Sequence, residues 1–135
     1  MIQPSVLLVD DDSAILAVFS WRLTAGHFSV TAVSSGRDAI SALQDAQYDI
    51  VITDLTMEGI DGFEVLTAVK KIAPLTPVII ISGHAESAMD AFRLGADDFL
   101  VKPFDIEELS FKIRNCFENL NLQHLLMRPP DLEEV

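Results

Sequence analysis

Two kinds of apolar pattern alternate along the chain. Near-continuous hydrophobicity, as in Val78–Ile81, is typical of strands that are buried on both faces of a parallel sheet. Each such run is short, rich in β-branched residues and followed by polar or turn residues. The pattern predicts five strands, and these are Val6–Val9, Ser29–Val33, Ile50–Thr53, Val78–Ile81 and Phe99–Val101.

Apolar residues at helical spacing follow each of these runs and predict five helices. Asp12 and Ser13 provide a cap for the first helix and Gly26 ends it, while Pro74 stops the third and Gly95 closes the fourth. The positions that carry the spacing are, helix by helix, Ile15, Phe19 and Leu23; Ala39, Ile40 and Leu43; Phe63, Leu66, Val69 and Ile72; Ala88, Met89, Phe92 and Leu94; and Ile106, Leu109, Ile113, Cys116, Phe117 and Leu120.

The alternation of strand and helix predicts the fold class. Short links between parallel strands require right-handed crossovers, which place helices on both faces of the sheet. Five units are too few for an eight-stranded barrel. We therefore expect an α/β fold with an open, five-stranded, doubly wound parallel sheet, in which ligands bind beyond the carboxyl ends of the strands.

Side chains with candidate chemistry follow four of the five predicted strands, and Ser34–Gly36 after the second strand is interpreted as a plain loop. Asp10–Asp12 follow the first, Asp54 the third, Ser82 the fourth and Lys102 the fifth. If the first and third strands are neighbours, their terminal carboxylates repel each other unless a cation lies between them. Carboxylate oxygens with several waters suit Mg²⁺, so the sequence predicts a magnesium site at this edge.

Five segments together resemble the receiver domain of two-component response regulators, over roughly residues 5–120. Each segment is a weak signal by itself, but their order along the chain is specific. The resemblance implies a flavodoxin-like (βα)5 fold with strand order 2-1-3-4-5. The segments are Val6–Asp12, Asp49–Asp54, Gly59–Gly62, Pro77–Gly83 and Gly95–Phe104.

The resemblance also implies a phosphorylation site. Asp54 would accept a phosphoryl group from a sensor histidine kinase or a phosphotransfer protein. Mg²⁺, with Mn²⁺ as an alternative, would be held by Asp11, Asp54 and the backbone carbonyl of Thr56, and Asp10 would act mostly through a metal-bound water. The domain would be regulatory rather than an enzyme, although it would assist its own phosphorylation and dephosphorylation.

Further residues would recognise the phosphoryl group and transmit its presence, again by the resemblance. Lys102 would supply positive charge to the phosphoryl oxygens, and Ser82 and the Gly83 N–H would donate hydrogen bonds. Ser82 would then move and Phe99 would turn inward, which would remodel the face made by helix four, strand five and helix five.

Three positions depart from the commonest pattern of this family. Glu58 stands where proline is frequent, Gly83 where alanine is frequent, and Phe99 where tyrosine is frequent. None of these departures removes a residue that phosphorylation requires.

Composition narrows the classes of partner. The 135 residues include 21 Asp and Glu against nine Lys and Arg, and half of the chain is hydrophobic, which excludes disorder. The acidic balance argues against direct binding to nucleic acid or to an anionic membrane. The single cysteine, Cys116, cannot form an internal disulfide, and no signal peptide or membrane segment is seen in the sequence, so we expect a cytoplasmic location.

The last residues leave two interpretations open. We assign residues 1–120 to the receiver domain and 121–135 to a C-terminal tail or the start of a linker to an absent output domain. Helix five either runs on as a dimerising linker or frays before Pro129. An approximate heptad seam supports a homodimer through this helix, and its members are Leu109, Ile113, Cys116, Leu120 and Met127.

Three further interpretations complete the prediction. Cys116 and Trp21 are expected to be packing residues. Asp10 and Asp12 also have the Asp-x-Asp spacing of haloacid-dehalogenase-type phosphatases, although the chain lacks the cap insertion and the downstream acidic pair of that class. A receiver that is never phosphorylated and serves only for docking is the remaining alternative.

Overall fold

A computed structural model describes the backbone of residues 3–127 and the side chains of residues 3–119. Strands and helices alternate as the apolar pattern predicts, and a short 3₁₀ turn at Ala85–Ser87 precedes the fourth helix. The elements are β1 (Ser5–Val9), α1 (Ser13–Ala25), β2 (Ser29–Val33), α2 (Gly36–Asp45), β3 (Ile50–Asp54), α3 (Gly62–Ile72), β4 (Val78–Ser82), α4 (Ala88–Arg93), β5 (Asp98–Val101) and α5 (Ile106–Met127).

The five strands form one parallel sheet in the order β2-β1-β3-β4-β5, which confirms the predicted fold class and topology. Val9 of β1 pairs with Thr53 of β3, and Ser82 of β4 pairs with Val101 of β5. This register aligns the carboxyl ends of β1, β3, β4 and β5, so the residues that follow them share one edge of the sheet.

The sheet divides the apolar core into two layers. Alternate residues of each strand point to opposite faces, and accordingly Leu7 and Val9 lie in one layer while Val6 and Leu8 lie in the other. Helices α2, α3 and α4 cover the first layer, and α1 and α5 cover the second. Helices on both faces confirm that the sheet is doubly wound.

The packing predicted for two helices is wrong in detail. The predicted α1 positions Phe19 and Leu23 face the core, but the Trp21 side chain is 70% exposed. Because α1 is apolar around most of its circumference, its sequence does not distinguish an outward apolar residue from a core residue. In α4, Met89 and Phe92 are exposed and Ala91 is the buried residue, and Leu94 directly after the helix is also exposed. This helix has six residues, too few for its periodicity to define one face.

Cys116 is buried in the α5 layer, as predicted. The backbone of α5 continues to Met127, but the side chains of residues 120–127 and all of residues 128–135 lie outside the described part of the chain. The heptad seam, the homodimer and the role of the tail therefore remain predictions. No helix among the described residues is both long enough and apolar enough to cross a membrane.

Candidate functional site

The three consecutive acids after β1 have different surroundings. Asp10 is 5% exposed, and its Oδ1 accepts a hydrogen bond of 2.9 Å from the Asp12 backbone N–H. The exposed Asp12 carboxylate accepts hydrogen bonds from the N–H groups of Ala14 and Ile15 and so caps α1. Asp12 therefore acts as the predicted helix cap, an arrangement that offers no support for a phosphatase mechanism through this residue.

Asp54 is the last residue of β3 and is 6% exposed. The chain turns directly after it, and the Gly62 N–H at the start of α3 donates to the Leu55 carbonyl. A Cβ atom on Gly62 would lie 2.5 Å from the Asp54 carbonyl oxygen, so this close approach of two backbone segments requires glycine. The start of α3 thus holds the backbone of Asp54 in place.

Asp10, Asp11 and Asp54 each contribute one carboxylate oxygen to a cluster in which these atoms lie within 4.8 Å of one another. Asp11 is exposed, and its Oδ2 accepts a hydrogen bond of 3.2 Å from the Glu58 backbone N–H. The predicted convergence of the first and third strands is therefore observed, and we refer to these three side chains as the acidic cluster.

Lys102, which follows β5, places its ammonium against the acidic cluster. Its Nζ lies 2.8 Å from Asp54 Oδ1 and 3.8 Å from Asp10 Oδ2. The Lys102 backbone N–H donates to the Ser82 carbonyl, which continues the pairing of β5 with β4 past the end of the strand. One ammonium thus contacts two of the three carboxylates of the acidic cluster.

Burial and charge shift the protonation equilibria of these groups in consistent directions. Burial raises the pKa of Asp10 and of Asp54, and these increases exceed the opposing effects of hydrogen bonds and of the Lys102 charge. For Lys102, burial lowers the pKa, but the contact with Asp54 and the charge of Asp10 outweigh it, so the pKa is raised. The site holds more negative charge than its lysine neutralises, and its all-oxygen donor set fits a hard divalent cation.

The remaining predicted site residues occupy different depths. Ser82 is 2% exposed at the end of β4, and its Oγ accepts a hydrogen bond of 3.0 Å from the His84 N–H. Gly83 and Thr56 are exposed, in the segments after β4 and β3. Phe99 pairs with Ile80 and lies in the core layer under α4, outside the acidic cluster.

One group at this site was not predicted from the sequence, the backbone N–H of Glu58. The Glu58 amide that bonds to Asp11 is a backbone donor, which every residue except proline possesses. The sequence shows only that residue 58 is not proline and therefore has a backbone N–H.

Residues 6–114 match the family described as "Response regulator receiver domain". Over 103 residues the chain is 40% identical to the DNA-binding transcriptional regulator NtrC of Klebsiella pneumoniae, which covers 75% of the chain and 22% of that protein. It is 34% identical over 130 residues to the transcriptional regulatory protein TcrA of Mycobacterium tuberculosis. This match covers 95% of the chain and 50% of TcrA. The chain therefore spans between about a fifth and a half of the length of these curated relatives.

A solved structure gives the same result. The receiver domain of the Francisella response regulator 1452 superposes with a TM-score of 0.81 and 29% identity, covering 87% of this chain and 98% of the other.

Proposed function

The chain belongs to the response regulator receiver domain family, and from that premise we propose that Asp54 accepts a phosphoryl group in two-component signalling. One observation carries the proposal: a buried carboxylate at the end of β3 contacts an ammonium at 2.8 Å within a cluster of three acids. A carboxylate of this kind is an ionised nucleophile, and its surroundings supply positive charge where a phosphoryl group would develop negative charge.

The donor in the proposed reaction is a phosphohistidine of a sensor histidine kinase or of a phosphotransfer protein. An Asp54 carboxylate oxygen attacks phosphorus, the O–P bond forms and the P–N bond breaks, and the electron pair of that bond returns to the imidazole nitrogen. Lys102 neutralises charge on the phosphoryl oxygens, while the Ser82 hydroxyl and the Gly83 N–H donate hydrogen bonds to them. The chain positions the phosphoryl group and neutralises the charge on its oxygens. The free energy for the transfer comes from the phosphodonor.

Asp11, Asp54 and the Thr56 carbonyl are proposed to hold Mg²⁺ or Mn²⁺, with Asp10 acting through a water molecule. When bound, the cation supplies positive charge at the phosphoryl oxygens. The proposal is supported by the mutual proximity of the three carboxylates and by the burial of two of them, since such a cluster repels itself without a counter-charge.

We propose that phosphorylation acts on the face made by α4, β5 and α5. Ser82 would turn its hydroxyl toward the phosphoryl group, and the Phe99 ring would move into the space that this leaves. Phe99 is 8% exposed and already lies in the same core layer as Ala91 of α4, so this movement would be a shift of the ring within that layer. The outer side of this face carries exposed apolar residues, which suit contact with a partner, and these are Met89, Phe92, Val101 and Phe111.

The remaining proposals concern context. Residues 1–120 would be the receiver domain, and residues 121–135 a tail or the start of a linker. The proposed role implies a histidine kinase or a phosphotransfer protein as the partner and a cytoplasmic location. The proposed homodimer through α5 rests on the heptad seam of the sequence. The free, buried Cys116 is consistent with a reducing compartment.

Phosphorylation by a small donor tests the central proposal. Incubation with acetyl phosphate and Mg²⁺ should add one phosphoryl group to the protein, detected by mass spectrometry of the intact chain. Asp54→Asn should remain unlabelled, whereas Asp45→Asn, an exposed aspartate at the end of α2, should be labelled like the wild type. Labelling of Asp54→Asn would contradict the role of Asp54, and an unlabelled wild type would favour the docking-only alternative.

A further inference from the structure

The hydrogen bond from Glu58 to Asp11 joins two loops that are far apart in the sequence. The Glu58 backbone N–H donates to Asp11 Oδ2 at 3.2 Å, across 47 positions of the chain. One loop connects β1 to α1 and the other connects β3 to α3, so the bond spans the mouth of the acidic cluster.

Each carboxylate of the acidic cluster has a different anchor. Asp10 accepts from the backbone N–H of Asp12, and Asp54 contacts the Lys102 ammonium. Among the described residues, Asp11 has one hydrogen bond, the bond from Glu58. Asp11 is also the exposed member of the three, so burial does not fix its side chain as it does for the other two.

The loop that carries Glu58 is itself anchored on both sides of this residue. Met57 is buried in the core layer below, and Gly59 adopts a φ of +79° that returns the chain toward α3. Ile60 packs so closely against Gly36 that a Cβ there would lie 2.6 Å from the Ile60 carbonyl oxygen. The Glu58 side chain is exposed, so its contribution to Asp11 comes through the backbone.

We propose that the Glu58 backbone amide is a positioning group that holds the Asp11 carboxylate toward Asp10 and Asp54. This orientation raises the affinity of the acidic cluster for a divalent cation. This inference rests on the cation site of the proposed function. One N–H occupies only part of the acceptor capacity of a carboxylate, so oxygen lone pairs remain for the cation. Groups that orient metal ligands in this way commonly affect metal affinity by about 10–100-fold.

The amide can be removed without removing a side chain that contacts the site. Glu58→Pro removes both the backbone N–H and the Glu58 carboxylate, because proline has no backbone donor. Glu58→Ala removes the carboxylate but keeps the backbone N–H, so it is the matched control. In the full chain, Mn²⁺ titration followed by electron paramagnetic resonance should show binding roughly tenfold weaker for Glu58→Pro. Glu58→Ala should remain within about twofold of the wild type, since the exposed carboxylate is screened by solvent.

The outcomes separate this inference from the proposed function. Equal Mn²⁺ affinity for Glu58→Pro and wild type, with a wild type that binds, would overturn the positioning role alone. A wild type that binds no better than Asp11→Asn would overturn the cation site and the inference together.

A second measurement covers the case in which Glu58→Pro fails to fold. In ¹H–¹⁵N spectra, the Glu58 amide proton should move upfield in Asp11→Ala, because its bond to a charged acceptor is lost. An unchanged Glu58 resonance would overturn the positioning role.

Discussion

The Lys102 ammonium reaches Asp54 across the end of an intervening strand. Asp54 is the last residue of β3 and Lys102 follows β5, and β4 lies between these two strands in the sheet. Lys102 Nζ and Asp54 Oδ1 are nevertheless 2.8 Å apart. The same ammonium lies 3.8 Å from Asp10. Lys102 therefore neutralises part of the negative charge that would attract a cation, so its ammonium and a bound cation compete for the same carboxylates.

Replacing Lys102 by Met should strengthen divalent-cation binding while slowing phosphorylation. Removing one positive charge from a partly buried site should improve Mn²⁺ affinity about fivefold, or ~1 kcal/mol. Phosphorylation by acetyl phosphate should slow about a hundredfold, as is typical when a group that stabilises transition-state charge is lost. Lys71→Met removes an exposed lysine of α3 and should change neither quantity. Weaker Mn²⁺ binding in Lys102→Met would contradict the proposed competition.

Asp10→Asn should stabilise the cation-free protein near pH 7. Because burial raises the pKa of Asp10, the folded chain binds this proton more tightly than the unfolded chain. The contribution of Asp10 to stability therefore falls as pH rises from the unfolded pKa, near 3.8, through the higher folded value, and it stays low above that window. We expect a gain of about 1 kcal/mol, or ~3 °C in melting temperature, in buffer with chelator.

The pH series provides the check on that assignment. The stability difference between Asp10→Asn and the wild type should vanish below the titration window. Urea denaturation at each pH measures these differences. A variant that is less stable than the wild type at pH 7 would mean that Asp10 is stabilised by its neighbours in the folded protein.

On acidification, the affinity for divalent cations should begin to fall at a higher pH than it would in a site of aspartates with the ordinary pKa. Asp54 must be ionised to act as a ligand and Asp10 to accept from a metal-bound water, and burial raises the pKa of both above the ordinary 3.8. Mn²⁺ affinity should fall by up to about tenfold per pH unit for each proton displaced. Titrations between neutral pH and pH 4 measure this dependence, and a constant affinity down to pH 4 would exclude raised pKa values in the cation-free site.

Gly62→Ala should destabilise the fold much more than Gly83→Ala. The new methyl at position 62 would meet the backbone of Asp54 and Leu55 at 2.5 and 2.7 Å, and these backbone atoms cannot move aside as a flexible side chain can. We expect a loss of about 1–3 kcal/mol in the free energy of unfolding. At Gly83 nothing lies within 4 Å of an added Cβ, so a change within about 0.5 kcal/mol is expected. Equal stabilities would show that the start of α3 can shift.

The site could be predicted from sequence to the extent that it depends on strand ends. Parallel strands place their carboxyl ends at one edge, so Asp10, Asp54 and Lys102 are brought together by topology alone. The core-facing positions Phe19 and Leu23 of α1 were predicted from their spacing, but the exposure of Trp21 was not, because α1 carries apolar residues on its outer side as well. The hydrogen bond from the Glu58 amide to Asp11 could not be predicted for a different reason. The direction of a backbone N–H depends on the loop conformation, which the type of side chain does not determine.

The two-layer core has a consequence for how substitutions combine. Among residues 3–119, no buried residue belongs to both apolar layers, since the sheet separates them, and Phe99 lies in one layer while its neighbour Leu100 lies in the other. Substitutions taken one from each layer share few partners, so their free-energy changes should add, whereas two in the same layer should couple. A substitution in the layer under α4 should therefore cost the same free energy of unfolding whether or not the layer under α1 and α5 is also altered.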